Sequence, residues 1–205
     1  RGWVGTGVQY HVVAAIAYRV AGVESRATRR AVEGVAVTND LKHGLAEPVQ
    51  HACLDEFVAD LRVAGGLSGI DEAYESAAAA YESAAGSVDQ PQSVATTPMF
   101  EAAAGPLKQV ARGQANGEIA IDWDDLHGSD PGEPGAFLGH RATYNRQPFP
   151  GLLESAVADG HLAAPRGTTE YGNENHRCPA CGADDVNWSG NDVLCMRCST
   201  PAEKV

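Results

Sequence analysis

Four cysteines in the last 28 residues constrain this chain more than any other feature. They form two Cys-x-x-Cys pairs, Cys178/Cys181 and Cys195/Cys198, with 13 residues between the pairs. Each pair can present two sulfurs to one ion, and four thiolates suit the tetrahedral preference of zinc. Disulfides are the alternative, but paired Cys-x-x-Cys spacing without a secretion signal favours a metal. We therefore predict one structural zinc ion per chain.

The segment between the pairs predicts a β-hairpin. Residues 186–188 and 193–194 are short runs of strand-forming residues, and the turn residues Gly190 and Asn191 lie between them. Gly182, directly after the first pair, can adopt the positive φ that a tight turn requires. The hairpin returns the chain so that the second pair faces the first.

The sequences Cys-Pro-Ala-Cys-Gly and Cys-Met-Arg-Cys resemble the zinc-ribbon family, with a rubredoxin-type first knuckle, over residues 176–200. The resemblance implies that Cys178, Cys181, Cys195 and Cys198 are the metal ligands. The second knuckle lacks the proline and glycine of a rubredoxin, which argues against iron and electron transfer. Four protein ligands leave no open position on the metal, so we expect the site to support folding rather than catalysis.

The expected ribbon is not a basic patch. Its basic residues after His176 are Arg177, Arg197 and Lys204, and its acidic residues are Asp184, Asp185, Asp192 and Glu203. Four thiolates around one zinc add a formal charge of about −2. We therefore expect the ribbon to contact protein or to stabilise the chain rather than to bind nucleic acid, and Trp188 to cover the hairpin rather than to stack on a base.

The whole chain is acidic, with 27 acidic and 15 basic residues and a net charge of −12. Lysine is scarce and small residues are abundant, a composition that resembles proteins of salt-loving archaea; an ordinary acidic protein is the alternative. A charge of −12 normally argues against nucleic-acid binding. In molar salt, however, the Debye length is only about 3 Å, and the overall charge then excludes little.

Arg19, Arg26, Arg29 and Arg30 form the single basic cluster of the sequence. They are candidates for contact with phosphate or with an acidic partner. Salt bridges on a helix surface, with Glu24 and Glu33, are the alternative.

Residues 8–112 predict a helical domain, because apolar residues recur at helical spacing. One helix is expected to begin at Pro48 and to bury Cys53 as a small core residue. A short helix near Pro98 is expected to break at Gly105-Pro106.

A heptad repeat marks the fourth predicted helix, where Ala-Tyr-Glu-Ser-Ala-Ala at residues 73–78 recurs at 80–85. The repeat places Tyr74 and Tyr81 on one face. An ordinary bundle helix and a helix for self-association both fit this pattern.

The helical spacing of apolar residues ends after Gly113. Ile119, Ile121 and Trp123 alternate as in a strand, after the turn pair Asn116-Gly117. Glycine and proline are then dense over residues 128–151, which predicts an extended arm or a flexible linker, and a last helix is expected at about 151–159.

Acidic side chains and one histidine lie close together in the sequence just before this arm. They are Asp122, Asp124, Asp125, His127, Asp130 and Glu133. Oxygen-rich loops can hold Ca²⁺ or Mg²⁺, but the spacing lacks the pattern of a calcium loop, and a hydrated acidic surface is the better interpretation.

These patterns predict a mainly α protein, a helical bundle with a Gly/Pro-rich extended arm and a small C-terminal zinc ribbon. The expected divisions are 1–112 for the helical domain, 113–151 for a β-hairpin and the arm, 152–175 for a short helix and linker, and 176–205 for the ribbon. Neither a membrane span nor a signal peptide is recognisable, so a cytoplasmic or virion location is expected.

The sequence carries none of the common nucleotide-binding or hydrolase motifs. Our leading hypothesis is a non-enzymatic structural protein, an oligomeric scaffold or a virion-type component, that associates with itself or with other protein subunits. A nucleic-acid-associated zinc-ribbon factor and an enzyme of unknown class are the alternatives.

Overall fold

A computed structural model describes residues 3–114 and 121–205, which are mainly helical, as predicted. The helices are α1 (Trp3–Val20), α2 (Glu24–Lys42), α3 (Pro48–Gly65), α4 (Ile70–Ala84), α5 (Pro91–Ala95), α6 (Pro98–Gln114), α7 (Trp123–Leu126), α8 (Pro134–Arg146) and α9 (Pro148–Asp159), with a 3-10 turn at Ala85–Ser87. None of the helices in the described parts of the chain is long and apolar enough to cross a lipid bilayer.

Helix α3 is the centre of the bundle, in contact with α1, α2, α4, α6 and α9. Twelve of its 18 residues are buried. Leu54, Phe57 and Leu61 are fully enclosed, and so are the acidic residues Glu56 and Asp60. A helix that is buried on nearly every side usually carries no charge, so these two carboxyl groups need partners.

The break predicted at Gly105-Pro106 is wrong, because α6 continues through both residues to Gln114. A Cβ atom at position 105 would collide with Nε2 of Gln9 on α1. Glycine is therefore present to let α1 and α6 approach closely, not to end the helix. Tertiary packing compensates for the one backbone hydrogen bond that Pro106 removes.

The extended arm expected over residues 128–151 is also wrong, since most of this segment forms α8 and the first turn of α9. Pro134, Pro148 and Pro150 occupy first-turn positions, where a missing N–H loses nothing. Its glycines permit close packing against α4: a Cβ atom at Gly135 would lie 2.8 Å from Cα of Glu82, and one at Gly139 would lie 3.2 Å from Cβ of Tyr81.

The strand expected around Ile121 lies partly outside the described residues, which omit Ile119 and the turn pair Asn116-Gly117. Ile121 itself is buried, and Trp123 begins the short helix α7. The carboxylate of Asp122 caps this helix in a capping box with Asp125.

The C-terminal region contains two small antiparallel sheets. Its strands are β1 (Thr168–Glu170), β2 (His176–Arg177), β3 (Val186–Ser189), β4 (Asp192–Cys195) and β5 (Glu203–Lys204). Strands β3 and β4 form the predicted hairpin, and Val186 pairs with Cys195. Strand β1, which the sequence did not predict, adds to the open edge of β3, while β2 pairs with β5.

Candidate metal centre

The fold brings the sulfurs of Cys178, Cys181, Cys195 and Cys198 within 4.8 Å of one another. All four are free thiols. Separations of 3.5 Å join Cys178 to Cys198 and Cys181 to Cys195, and 3.8 Å joins Cys181 to Cys198. Sulfurs about 2.3 Å from a tetrahedral zinc stand about 3.8 Å apart, so this set has the size of a zinc site.

The two Cys-x-x-Cys turns have the same backbone geometry. The N–H of Gly182 donates to the carbonyl of Cys178 at 2.9 Å, and the N–H of Ser199 donates to the carbonyl of Cys195 at 3.0 Å. The residue after each second cysteine has a positive φ, 73° at Gly182 and 54° at Ser199. The second knuckle therefore adopts the same turn as the first, although it has no glycine.

The side chain of Ser199 makes a hydrogen bond that accompanies this left-handed conformation. Its Oγ accepts a hydrogen bond from the N–H of Ala164 at 3.0 Å, which ties the linker after α9 to the second knuckle. Asn187 adds to this tie, since its side chain binds Gly167 and Pro165. The module is thus held by the chain that precedes the predicted ribbon.

The surroundings of the sulfurs stabilise the thiolate form of one cysteine and destabilise that of another. Burial opposes the charged form of Cys198, but hydrogen bonds from the side chain and backbone of Thr200 outweigh it and lower the pKa of that thiol to about 6. Burial raises the pKa of Cys195 to about 12, although the N–H of Arg197 donates to its sulfur at 3.3 Å. A bound dication deprotonates coordinating thiols, so it supplies the charge that this pocket lacks.

Apolar packing in the module is minimal. Its buried cluster consists of Cys178, Ala183 and Cys195, with Cys198 packed against it. Trp188, 37% exposed, meets His176 edge-on with ring centroids 5.2 Å apart. Without a metal, such a small cluster buries too little surface to fold a module of this length.

The junction between the bundle and the module carries two arginines that the sequence reading missed. Arg112 and Arg166 line a pocket together with Ser199 of the second knuckle. Burial and the neighbouring charge of Arg166 lower the pKa of Arg112. Neither guanidinium forms an ion pair with a carboxylate in the described part of the chain.

A second polar cluster lies inside the bundle and was also missed. The guanidinium of Arg141 on α8 donates two hydrogen bonds, of 2.5 and 2.9 Å, to the carboxylate of Glu56 on α3. It donates a third hydrogen bond to the carbonyl of Phe100 at 3.0 Å. The hydroxyl of Tyr81 on α4 donates to the same carboxylate at 2.8 Å. Glu56 and Arg141 are 0% and 2% exposed, so the pair is sealed from water.

One helical turn away, Asp60 makes an analogous contact. Tyr74 donates to its Oδ1 at 2.6 Å, and Asn145 approaches the same oxygen at 3.4 Å. Oδ2 of Asp60 and Oδ1 of Asn145 are buried and have no hydrogen-bond partner among the described residues. Burial and the nearby charge of Glu56 raise the pKa of Asp60 to about 8, so the fold favours the protonated carboxyl.

The heptad repeat is explained by these contacts. Tyr74 and Tyr81 are each 1% exposed and point at the carboxyl groups of α3, so the face of α4 that carries them packs inside the chain. Self-association through the rest of α4 stays a prediction. The signal available in the sequence was the matching pair of acidic residues, Glu56 and Asp60, which lie four apart among the apolar residues Leu54, Phe57 and Leu61.

Three of the four arginines in the predicted basic cluster make contacts within the chain. Arg19 donates to the carbonyl of Val63 at 2.8 Å, Arg26 lies over the ring of Tyr18, and Arg30 pairs with Glu33 at 2.9 Å. Arg29 is exposed on α2. Contact of these four residues with phosphate or a partner stays a prediction.

The four cysteines are the one group of His, Cys, Asp and Glu side chains within the described residues whose ligand atoms converge closely enough for a metal ion. The acidic loop around His127 does not meet this condition. His127 instead stacks on Trp123 and Phe137, and Cys53 is buried in the core as predicted.

No known protein family matches this chain, and neither a curated protein nor a solved structure matches it significantly.

Proposed function

We propose that this chain is a non-enzymatic component of a protein assembly, a scaffold or virion-type subunit, whose C-terminal module folds around one structural zinc ion. The observation that carries the proposal is the closed set of four sulfurs, because four protein ligands fill a tetrahedral metal and leave no position for a substrate. Zinc is favoured over iron because the second knuckle lacks the rubredoxin proline and glycine. The 3.5–3.8 Å spacing of the sulfurs suits a tetrahedral ion of either metal.

The burial of the ionisable side chains inside the bundle supports a role without catalysis. Glu56, Tyr81 and Arg141 satisfy one another in the core and are at most 2% exposed. A catalytic acid or base has to reach its substrate directly or through one water molecule. These groups instead bind three helices together.

Exposed apolar side chains support protein contacts. Trp3, Tyr10, Val32 and Val37 are 84%, 67%, 53% and 41% exposed. They all lie on α1 and α2, two helices in contact with each other, and apolar side chains exposed to water favour association with another protein surface.

Two measurements test the proposal. Elemental analysis is expected to give one zinc per chain, and light scattering after size exclusion, in low and in molar salt, is expected to give a mass above that of the 21.4 kDa monomer. A strictly monomeric protein at all concentrations would overturn the assembly role, and a metal-free but folded C-terminal module would overturn the structural zinc.

A nucleic-acid-associated factor is the second candidate, favoured by Arg112 and Arg166 beside the second knuckle. Two guanidinium groups that form no ion pair with a carboxylate of the described residues, on an acidic protein, suit a phosphate ligand. Retention on immobilised DNA or RNA that weakens with salt, and that is lost in Arg112→Gln with Arg166→Gln, would support this candidate. Retention that is equal in the double variant would exclude these arginines.

A further inference from the structure

The outward side of α1 has a regular pattern that the bundle does not use. Trp3, Gly7, Tyr10, Ala14 and Ala17 follow one another at alternating steps of four and three residues, the spacing of a coiled-coil seam. We call these five residues the α1 seam. Trp3 is 84% and Tyr10 is 67% exposed, and Gly7 and Ala17 are also exposed.

Gly7 is unexplained by the packing of this chain. Glycine inside a helix is less stable than alanine by about 0.5–1 kcal/mol. A Cβ atom at Gly5 would lie 2.7 Å from Cα of Met99, and one at Gly34 would lie 2.6 Å from Leu61, so those glycines allow close contacts within the bundle. A Cβ atom at Gly7 would meet nothing within 4 Å. The space that Gly7 leaves is therefore available to another molecule.

The absence of charged side chains also distinguishes the helix that carries the α1 seam. From Trp3 to Tyr18, α1 contains no Asp, Glu, Lys or Arg, although the chain as a whole has a net charge of −12. Two copies of such an acidic protein repel each other over most of their surface. An uncharged helix face is where they can approach with the least repulsion.

We propose that two copies of this chain associate through the α1 seam, antiparallel, about a twofold axis at Tyr10; this deepens the proposed assembly role and rests on it. Antiparallel pairing places Trp3 of one copy opposite Ala17 of the other and Gly7 opposite Ala14. Large side chains then meet small ones, and the two Tyr10 rings lie beside each other at the axis. Parallel pairing would place Trp3 against Trp3 and hold the helices apart at Gly7.

The four aromatic side chains supply roughly half of the area that a dimer needs. An aromatic side chain buries roughly 150–250 Å², so two tryptophans and two tyrosines bring about 600–1,000 Å². A stable interface buries about 1,200–2,000 Å² in total. Gly7, the alanines and the flanks of α1 and α2 supply the remainder.

The first test introduces a charge at the axis. Tyr10→Glu places two carboxylates together in the dimer, and we expect the mass by light scattering to fall from dimer to monomer. Tyr171→Glu is the matched control, because Tyr171 is also exposed, at 60%, and lies outside the seam; it is expected to remain dimeric. Both positions are exposed, so both variants are expected to keep the helical circular dichroism of the parent.

The second test separates association from folding. Gly7→Leu fills open space in the single chain and improves helix propensity, so the thermal midpoint of the dilute monomer is not expected to fall. The same leucine blocks the approach of the second α1, and we expect the dissociation constant to rise at least tenfold. A variant that is both less stable and still dimeric would overturn the role given to Gly7.

Orientation is tested by cross-linking zinc-loaded protein with a short bis-maleimide. A mixture of Gly7→Cys and Ala14→Cys chains is expected to give the heterodimeric product, and Gly7→Cys alone is expected to give little. The reverse result would overturn the antiparallel arrangement. An oligomer that Tyr10→Glu leaves intact would overturn the seam but not the assembly role, whereas a wild-type monomer would overturn both.

Discussion

The helical bundle and the C-terminal module are stabilised in opposite ways within one chain. The bundle encloses a continuous apolar core that includes Leu54, Phe57, Leu107 and Leu153. The buried cluster of the module holds Ala183 and two of the metal-binding cysteines, packed against a third. Hydrophobic burial is sufficient for the first region, whereas the second buries so little apolar surface that we expect it to depend on the free energy of metal binding.

The two regions also differ in how they hold buried charge. In the bundle, Glu56 and Arg141 neutralise each other at a helix interface. In the module, none of the described arginines or lysines is buried beside the four sulfurs, and we expect a bound cation to supply the charge that offsets four thiolates. Removing Arg141 or the metal ion should therefore destabilise only the region that contains it. We expect the larger loss of stability from removal of the metal.

Loss of the metal is the strongest test of this difference. Cys181→Ser, or chelation of the zinc, is expected to abolish the NMR dispersion of residues 168–204 while the helical circular dichroism persists. The physical reason is that structural zinc contributes an apparent binding free energy on the order of 10–16 kcal/mol. Cys53→Ala is the matched control and should keep one zinc per chain. Cooperative loss of both regions would show that they are not independently stabilised.

The buried ion pair is the corresponding test for the bundle. Arg141→Met leaves Glu56 charged and without its guanidinium, and removal of one partner of such a pair reduces the free energy of unfolding by about 3–5 kcal/mol. Denaturant titration of the helical signal measures this. Arg30→Met, in the exposed pair with Glu33, should change it by less than about 1 kcal/mol. Equal effects would mean that burial does not distinguish the two pairs.

The raised pKa of Asp60 makes the stability of the bundle depend on pH. Its ordinary value is 3.8 and its value in the fold is about 8, so the folded state retains a proton that the unfolded state has lost between these limits. This contribution to stability is complete below about pH 4, falls as the pH rises towards 8, and is absent above that.

Asp60→Asn removes this titration and keeps an oxygen for the hydroxyl of Tyr74. We expect the difference in unfolding free energy, parent minus variant, to decrease steadily from pH 4 to pH 8. Denaturant titrations of both proteins across this range measure it. A constant difference would show that Asp60 is ionised throughout.

The smallest expected effect concerns the left-handed turn at Ser199. Ser199→Ala keeps the strained φ of 54° and loses the acceptor for Ala164, so it should destabilise the module by about 1 kcal/mol. Ser199→Gly loses the same hydrogen bond but relaxes the backbone, and it should be more stable than the alanine variant by about 1 kcal/mol. Thermal melts of the zinc-loaded proteins, followed by Trp188 fluorescence, compare the two. If alanine is the more stable, strain at this turn is negligible.

Local patterns predicted the parts of the molecule that depend on spacing. Cys-x-x-Cys pairs bring sulfurs together wherever they occur, and the turn at Gly190 follows from a residue that accepts positive φ. The first residue of α3, Pro48, was likewise predictable because proline suits that position.

Glycine and proline misled the prediction over residues 98–151 because each has two physical roles. The same residues that interrupt an isolated helix also open a helix surface to a neighbour or begin a new helix. Gly105 and Gly139 are used for contact with α1 and α4, and only the position of the neighbouring helix distinguishes that use from a break.

The sequence by itself determined which four cysteines come together and the helical character of the chain, because both depend on spacing along the backbone. Only the tertiary structure decided that the tyrosine repeat faces inward and that Glu56 meets Arg141, residues 85 positions apart. Such contacts arise from the mutual placement of α3, α4 and α8, which no local pattern encodes.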